Sequence, residues 1–443
     1  MKSKKIVGWI VAAILVCALA VSAVLIVMNF DAIKTGLSGG QLYTQEDMDE
    51  AHETWEEENK AIIDNLTNQN NQLIEQKEEL EIEKYEEGYN EGYSEGYAQS
   101  VIDKDGNAVG TVWDGRADMS WYNETDTSFE INSAEDLAGL SYLVAFGNTF
   151  DDKTITLTSD IYLNDPSVMF VDGAFVEGNY NVFYSIGQTN NFSGVLDGDG
   201  HTIYGLYQDY ALNRYGLFGN TLDASVVDLT IDSAYIKVNN SNSYAGVGIG
   251  YATGALNLTN LDVTNSVIIA ETSAINVGGL IGGTNAMGNL SMAVSYCDVD
   301  VTIATMEGAS IYYAGGLLGY ANVGSTGLSV EYGSVDVNFT AIVDYYAGGL
   351  IGRAMGGTVD VTGTKIVVNG ELVNQAGTSI GFGGVGYIQN PTSAVLDGLT
   401  ISGNIDLSSN FAEKYSADVY NPSNSTNITV SNTTNTLAIE VAA

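Results

Sequence analysis

The chain has 443 residues, 45% hydrophobic and 16% charged, with 51 Gly, 27 Tyr and 3 Pro. Its 55 Asp and Glu against 15 Lys and Arg leave a formal charge of −40, which excludes the basic footprint needed for nucleic acid or an anionic lipid surface. Two cysteines, Cys17 and Cys297, exclude a disulfide scaffold and a zinc site built on clustered thiols, and no cofactor is expected.

Lys2, Lys4 and Lys5 form a stub, residues 1–5, ahead of an uncharged run from Ile6 to Phe30. About 20 apolar residues span a bilayer core, so residues 6–30 read as a transmembrane signal-anchor helix. The flanking lysines place the N-terminus in the cytoplasm and the rest of the chain outside. A cleaved signal peptide is the rival, but the apolar run continues through Val24–Met28, beyond the candidate small-residue sites at Ala20 and Ala23. The expected location is therefore a bacterial plasma membrane, single-pass, with an extracellular C-terminal domain.

Residues 31–44 read as a linker and 45–99 as a helical, acidic stalk. Glu46 to Glu95 hold 18 acids and 3 bases, and Trp55, Ile62, Leu66, Leu73 and Leu80 follow an approximate heptad seam. A single solvated helix is the alternative to a coiled coil. Either would extend about 80 Å at ~1.5 Å per residue. The stalk ends in a tetrad repeat that places Tyr85, Tyr89, Tyr93 and Tyr97 on one helix face beside Gly88, Gly92 and Gly96. Glycine weakens a helix, so this face is either a packing surface for self-association or a frayed linker.

Residues 100–128 read as a linker with the first strands. A glycine-bracketed marker then recurs: Tyr215–Gly219, Ala245–Gly250, Val277–Gly282, Ala314–Gly319, Ala347–Gly352 and Gly383–Gly386. The last glycines are 31, 32, 37, 33 and 34 residues apart, the signature of a repeat architecture. Strand-like runs such as Val299–Ile303 and Ser334–Phe339 lie between markers, with no amphipathic helix. The expected fold is mainly β: a parallel β-helix (solenoid) of about six repeats over 129–388, with a C-terminal cap over 389–443. A β-propeller fits less well, because its blades need four strands and longer repeats. The glycines are expected to permit positive φ or close backbone approach.

The markers resemble the GLUG motif, Gly-Leu-hydrophobic-Gly, of bacterial adhesins and surface proteins. Phe192–Leu206, with its Asp197-Gly-Asp-Gly200 core, is similar to the segment that precedes the first such motif. So is Ile131–Leu140, a short helix with Ser133 as its N-cap. The resemblance covers about Phe129 to Ile388 and implies an extracellular β-solenoid without one fixed activity. Val247-Gly248 departs from the motif's order, and the last repeat lacks its Leu.

Little catalytic chemistry is visible. No His-Glu-x-x-His exists, and the only histidines are His52 and His201. His201 follows Asp197-Gly-Asp-Gly, more simply a turn than part of a triad. Asp103-Lys-Asp105-Gly-Asn107 has a calcium-like look but lacks the later bidentate Glu. Catalytic and metal residues are therefore expected to be absent. Tyr244, Tyr313 and Tyr346 each stand just before the Ala-Gly of a marker, with Asn276 at the matching place between the first two. They are the candidate ligand-binding residues, as a flat aromatic surface for a glycan or protein. A purely structural aromatic ladder is the alternative. The expected function is adhesion or surface scaffolding. A polysaccharide lyase or glycoside hydrolase is the alternative, and would show converging carboxylates or Arg in a cleft.

Overall fold

In a computed structural model, the residues described are 100–102, 106–211, 213–285, 291–373, 380–381, 384–408, 415–416, 419 and 427–441. The apolar run 6–30, the stalk 45–99 and the Asp103–Asp105 stretch lie outside them. Among the described residues no helix is long and apolar enough to cross a membrane.

The solenoid is built by alternation. In Ser334–Gly348 and its neighbours, side chains point alternately inward and outward, and every inward position stacks on its counterpart one coil away. One column runs Phe129, Ile155, Leu196, Val226, Leu258, Val294, Val330, Val361, Leu396, Val430. A second runs Ile161, Ile203, Ile231, Val263, Val299, Val335, Ile366, Ile401. All of these are buried except Val430, which ends its column. Burying each such side chain contributes about 1.5–3 kcal/mol, against about 1–2 kcal/mol per residue of backbone entropy. A lone coil therefore gains little, and stability comes from stacking.

The marker column is Phe218, Ile249, Ile281, Leu318, Ile351 and Val385, whose partners are offset by the same 31, 32, 37, 33 and 34 residues as the glycines. Parallel pairing continues past it, through Ser393–Asp397 with Ile428–Ser431 and Asn404–Leu407 with Ala438–Val441. The fold is thus a parallel β-solenoid with about six marker-bearing coils.

Most marker glycines are required by proximity. A Cβ on Gly278, Gly315 or Gly348 would lie 2.0–2.2 Å from the carbonyl oxygen three residues on, and within 2.7 Å of an amide nitrogen in the next coil. The Val247-Gly248 inversion is compensated, because Leu280 of the following coil fills the space above Gly248.

Aromatic rings close the first coils, where Trp121, Phe129, Phe150, Phe192 and Phe218 pack in sequence. The helix Ala134–Ala145 starts where Ser133 accepts from the Asp136 amide at 3.1 Å and Asp136 accepts from the Asn132 amide at 3.0 Å. A small antiparallel pair, Phe170–Val171 with Ala174–Phe175, packs outside the column. Phe175 stacks on Tyr235 there, next to Tyr207 and Met169.

Candidate functional site

Strand register puts Arg214, Tyr244, Asn276, Tyr313 and Tyr346 in one column. All three candidate tyrosines are therefore on one face, each half-buried, with the Asn276 side chain buried between the first two. A second column stands beside it: Asn220, Tyr251, Gly283, Tyr320, Arg353, Tyr387. These residues directly follow the last glycine of each marker, so their alignment was implicit in the repeat. Their varied identity hides it.

The columns interlock. Tyr244 packs on Tyr251 at 4.7 Å, Tyr313 on Tyr320 at 5.5 Å, and Tyr346 stacks on Tyr387 at 4.5 Å with planes 8° apart. Tyr313 and Tyr346 also stack along their column at 5.8 Å. Gly283 is small because the Tyr244 ring and Asn276 amide lie over it. The Oδ1 of Asn276 is buried without a partner.

Two arginines are set into this wall. The Arg353 guanidinium lies 5.1 Å from the Tyr313 ring, 5.4 Å from Tyr320 and 6.0 Å from Tyr346, and its Nη1 donates to the Tyr313 hydroxyl at 2.6 Å. Its Nη2 donates to Gln389. Arg214 covers Tyr251 at 5.1 Å. The chain has only three arginines. The third, Arg116, pairs with Asp114, while neither wall arginine has a carboxylate partner among the described residues. Cation–π contacts hold both cations over the rings. Burial pushes the phenols of Tyr251, Tyr320 and Tyr346 above their ordinary range, so they remain protonated donors.

His201 sits in a turn in which Asp199 and Gly200 have positive φ and its own amide donates to Gly198. Its Nδ1 lies 3.1 Å from Asp160, which also accepts from the Thr202 amide. Among the described residues no hydroxyl is hydrogen-bonded to the ring, so this pair fastens two coils. Cys297 is buried in the inward file after the coil corner, and burial pushes its thiol up to about 12. A separate open groove of about 560 Å³ is lined by Asp151, Asp152, Lys153, Asp223 and Asn257 among others. Asp223 is occupied there, accepting from the Ala255 amide at 2.7 Å. No group of three or more His, Cys, Asp or Glu able to hold a metal ion occurs among the described residues.

Fold and face together define a parallel β-solenoid with an aromatic wall, an architecture that fits a surface scaffold or adhesin. Part of the chain is similar to halomucin of Haloquadratum walsbyi (strain DSM 16790 / HBSQ001), 28% identical over 189 residues, or 41% of this chain. The match spans 2% of halomucin's length, so it relates a stretch of chain and not a whole protein. No protein-family profile matches the sequence, and no solved structure matches the fold.

Proposed function

We propose that this protein is a membrane-anchored extracellular adhesin or surface scaffold that captures a glycan or protein through the Tyr244–Tyr313–Tyr346 wall. The observation that carries it is the wall itself: six tyrosines in two interlocked columns enclosing arginines that no carboxylate among the described residues neutralises. A structural ladder would need the rings but not the cations. Stacked Arg and Tyr offer a ligand both flat apolar area and fixed donors. In this reading residues 6–30 hold the chain in the bacterial plasma membrane and 45–99 space the solenoid from it. The tyrosine face of the stalk would support self-association, and the GLUG-like markers would place the protein among adhesin-type surface proteins.

The test is a glycan and matrix-protein binding screen of the full chain in detergent, with turnover assays on the same panel. Capture without turnover is expected. Replacing Tyr244, Tyr313 and Tyr346 together by Ala should abolish capture of at least one ligand of the panel. A folded triple variant that still captures every ligand the parent captures sinks the proposal, and turnover of a polysaccharide would favour the lyase or hydrolase reading.

A further inference from the structure

A different corner of each coil carries a second set of observations. From the coil of Val226 onward, after the strand that contributes Val226, Leu258, Val294 and the later members of that column, the chain turns through a residue in the left-handed region. These residues are Asp228, Asn260, Tyr296, Tyr332, Gly363, Gly398 and Asn432, with φ between 50° and 65°. The ladder is unbroken across the turn: Tyr296, Tyr332, Gly363 and Gly398 each donate their amide to the carbonyl of the residue before the corner one coil on. The following residue points inward, where Leu229, Leu261, Cys297 and Leu399 are buried.

Asp, Asn and Gly suit this conformation, because a short polar side chain or none tolerates positive φ. Tyrosine does not, because in the left-handed region its Cβ crowds the following carbonyl oxygen. Two successive coils nevertheless use it. The strain gains no burial in return, since Tyr296 and Tyr332 are 56% and 53% exposed, among the most exposed large apolar side chains described. Their rings lie 5.6 Å apart with planes 22° from parallel. In the next coil Gly363 leaves room for the Tyr332 ring, where a Cβ would meet it at 2.8 Å. Strained backbone held in place by its surroundings clusters where side chains must be presented to a ligand.

The flanks define the ligand. On one side lie the Thr259 and Ser295 hydroxyls, 3.3 Å apart, and the Glu331 carboxylate. On the other, Asp262 and Asp298 each accept from the backbone amide of the following coil. Flat rings bordered by hydroxyls and carboxylates match a sugar that offers an apolar C–H face and hydroxyl donors at its rim. The carboxylates repel an anionic one.

We propose that the Tyr296–Tyr332 corner is a binding platform for an uncharged pyranose polymer, independent of the Arg-bearing wall.

The test is native affinity electrophoresis of the full chain in detergent, through gels containing galactomannan, xyloglucan or, as the anionic comparator, polygalacturonate. Retardation by at least one neutral polymer and none by polygalacturonate is expected. The double variant Tyr296→Asn, Tyr332→Asn copies the residue used by the Asn260 and Asn432 coils. It should weaken retardation about tenfold or more while raising the melting temperature by roughly 2–5 °C as strain is relieved. Tyr296→Phe with Tyr332→Phe keeps the rings and should bind as the parent does. The Tyr244, Tyr313, Tyr346 alanine variant should also bind, which separates this site from the wall. Retention of binding by a folded double Asn variant overturns the proposal. So does a fall in its melting temperature with binding unchanged, which would make the pair a structural stack. Failure of both neutral polymers to retard the parent chain overturns it as well.

Discussion

Gly315→Ala tests whether the marker glycines are set by coil-to-coil proximity. The new Cβ would stand 2.2 Å from the Leu318 carbonyl oxygen and 2.7 Å from the Gly352 nitrogen. Non-bonded carbon atoms are comfortable near ~3.5–4.0 Å, so the neighbouring backbone has to retreat by on the order of 1 Å. That backbone carries the bonds from Gly316 to Gly348 at 3.3 Å and from Leu317 to Leu350 at 2.9 Å. Overpacking of this kind costs about 1–3 kcal/mol, and each weakened buried hydrogen bond adds about 1 kcal/mol. A loss of about 3 kcal/mol is therefore expected. Gly327→Ala is the control, because its nearest neighbour would be 3.8 Å away and its φ is ordinary. It should be neutral or stabilise by about 0.5 kcal/mol through the unfolded chain. Urea denaturation of the two variants followed by far-UV circular dichroism gives the comparison. Equal midpoint shifts would refute the proximity argument.

Three further outcomes follow from titratable side chains. The Cys297 thiol, raised to about 12 by burial, should resist a thiol reagent at pH 8 in the folded chain and react only after unfolding. Asp300 pairs in register with Asp336, and burial, then the Asp336 charge, raise its carboxyl above the ordinary value. The folded state then holds that proton more tightly than the unfolded state, so this group's contribution falls as pH rises above the unfolded value. Asp300→Asn should accordingly raise the melting temperature at pH 7 and leave it unchanged below about pH 3.5, near and below the ordinary Asp value. Lys237 bridges Asp209 at 3.2 Å and Glu271 at 3.3 Å. Burial alone would lower its pKa, but hydrogen bonding and charge from Asp209 and then Glu271 outweigh that and raise it. Lys237→Gln should cost about 1–3 kcal/mol in urea denaturation, because it strands two partly buried carboxylates.

The solenoid was legible because close approach imposes glycine at one place per coil. Gly282, Gly319, Gly352 and Gly386 each face the backbone of an adjacent coil within 2.6 Å, so their spacing reports the coil length directly. The first wall column was legible for the same reason, since Tyr244, Tyr313 and Tyr346 keep a constant distance from that glycine. The Ser133 cap was readable from local chemistry alone. Other features left no pattern. The corner tolerates Asp, Asn, Gly and even Tyr, so nothing in residue type marks it. The Phe170–Phe175 excursion packs by shape against Tyr207 and Tyr235, with no period behind it.

The charge of −40 takes a different meaning once the coils are in place. Asp223 accepts from Ala255, Asp228 from Asn260, Asp232 from Thr264, and Asp397 from Ser431 and Asn432. Each partner lies one coil further along, as with Asp262 and Asp298. Short acids thus act as staples between coils, taking up the donors that turns leave unpaired. An acidic skin of this kind arises from the demands of the fold and does not by itself imply a cation ligand. Against it, Arg214 and Arg353 are the exceptions: Asp209 and Asp223 lie near the first in sequence, Asp344 and Asp360 near the second, yet each arginine lies against tyrosine without a carboxylate partner among the described residues. Arg353→Gln should therefore disturb ligand capture at the wall far more than it disturbs the fold, a separation that binding and urea denaturation of one variant can measure together.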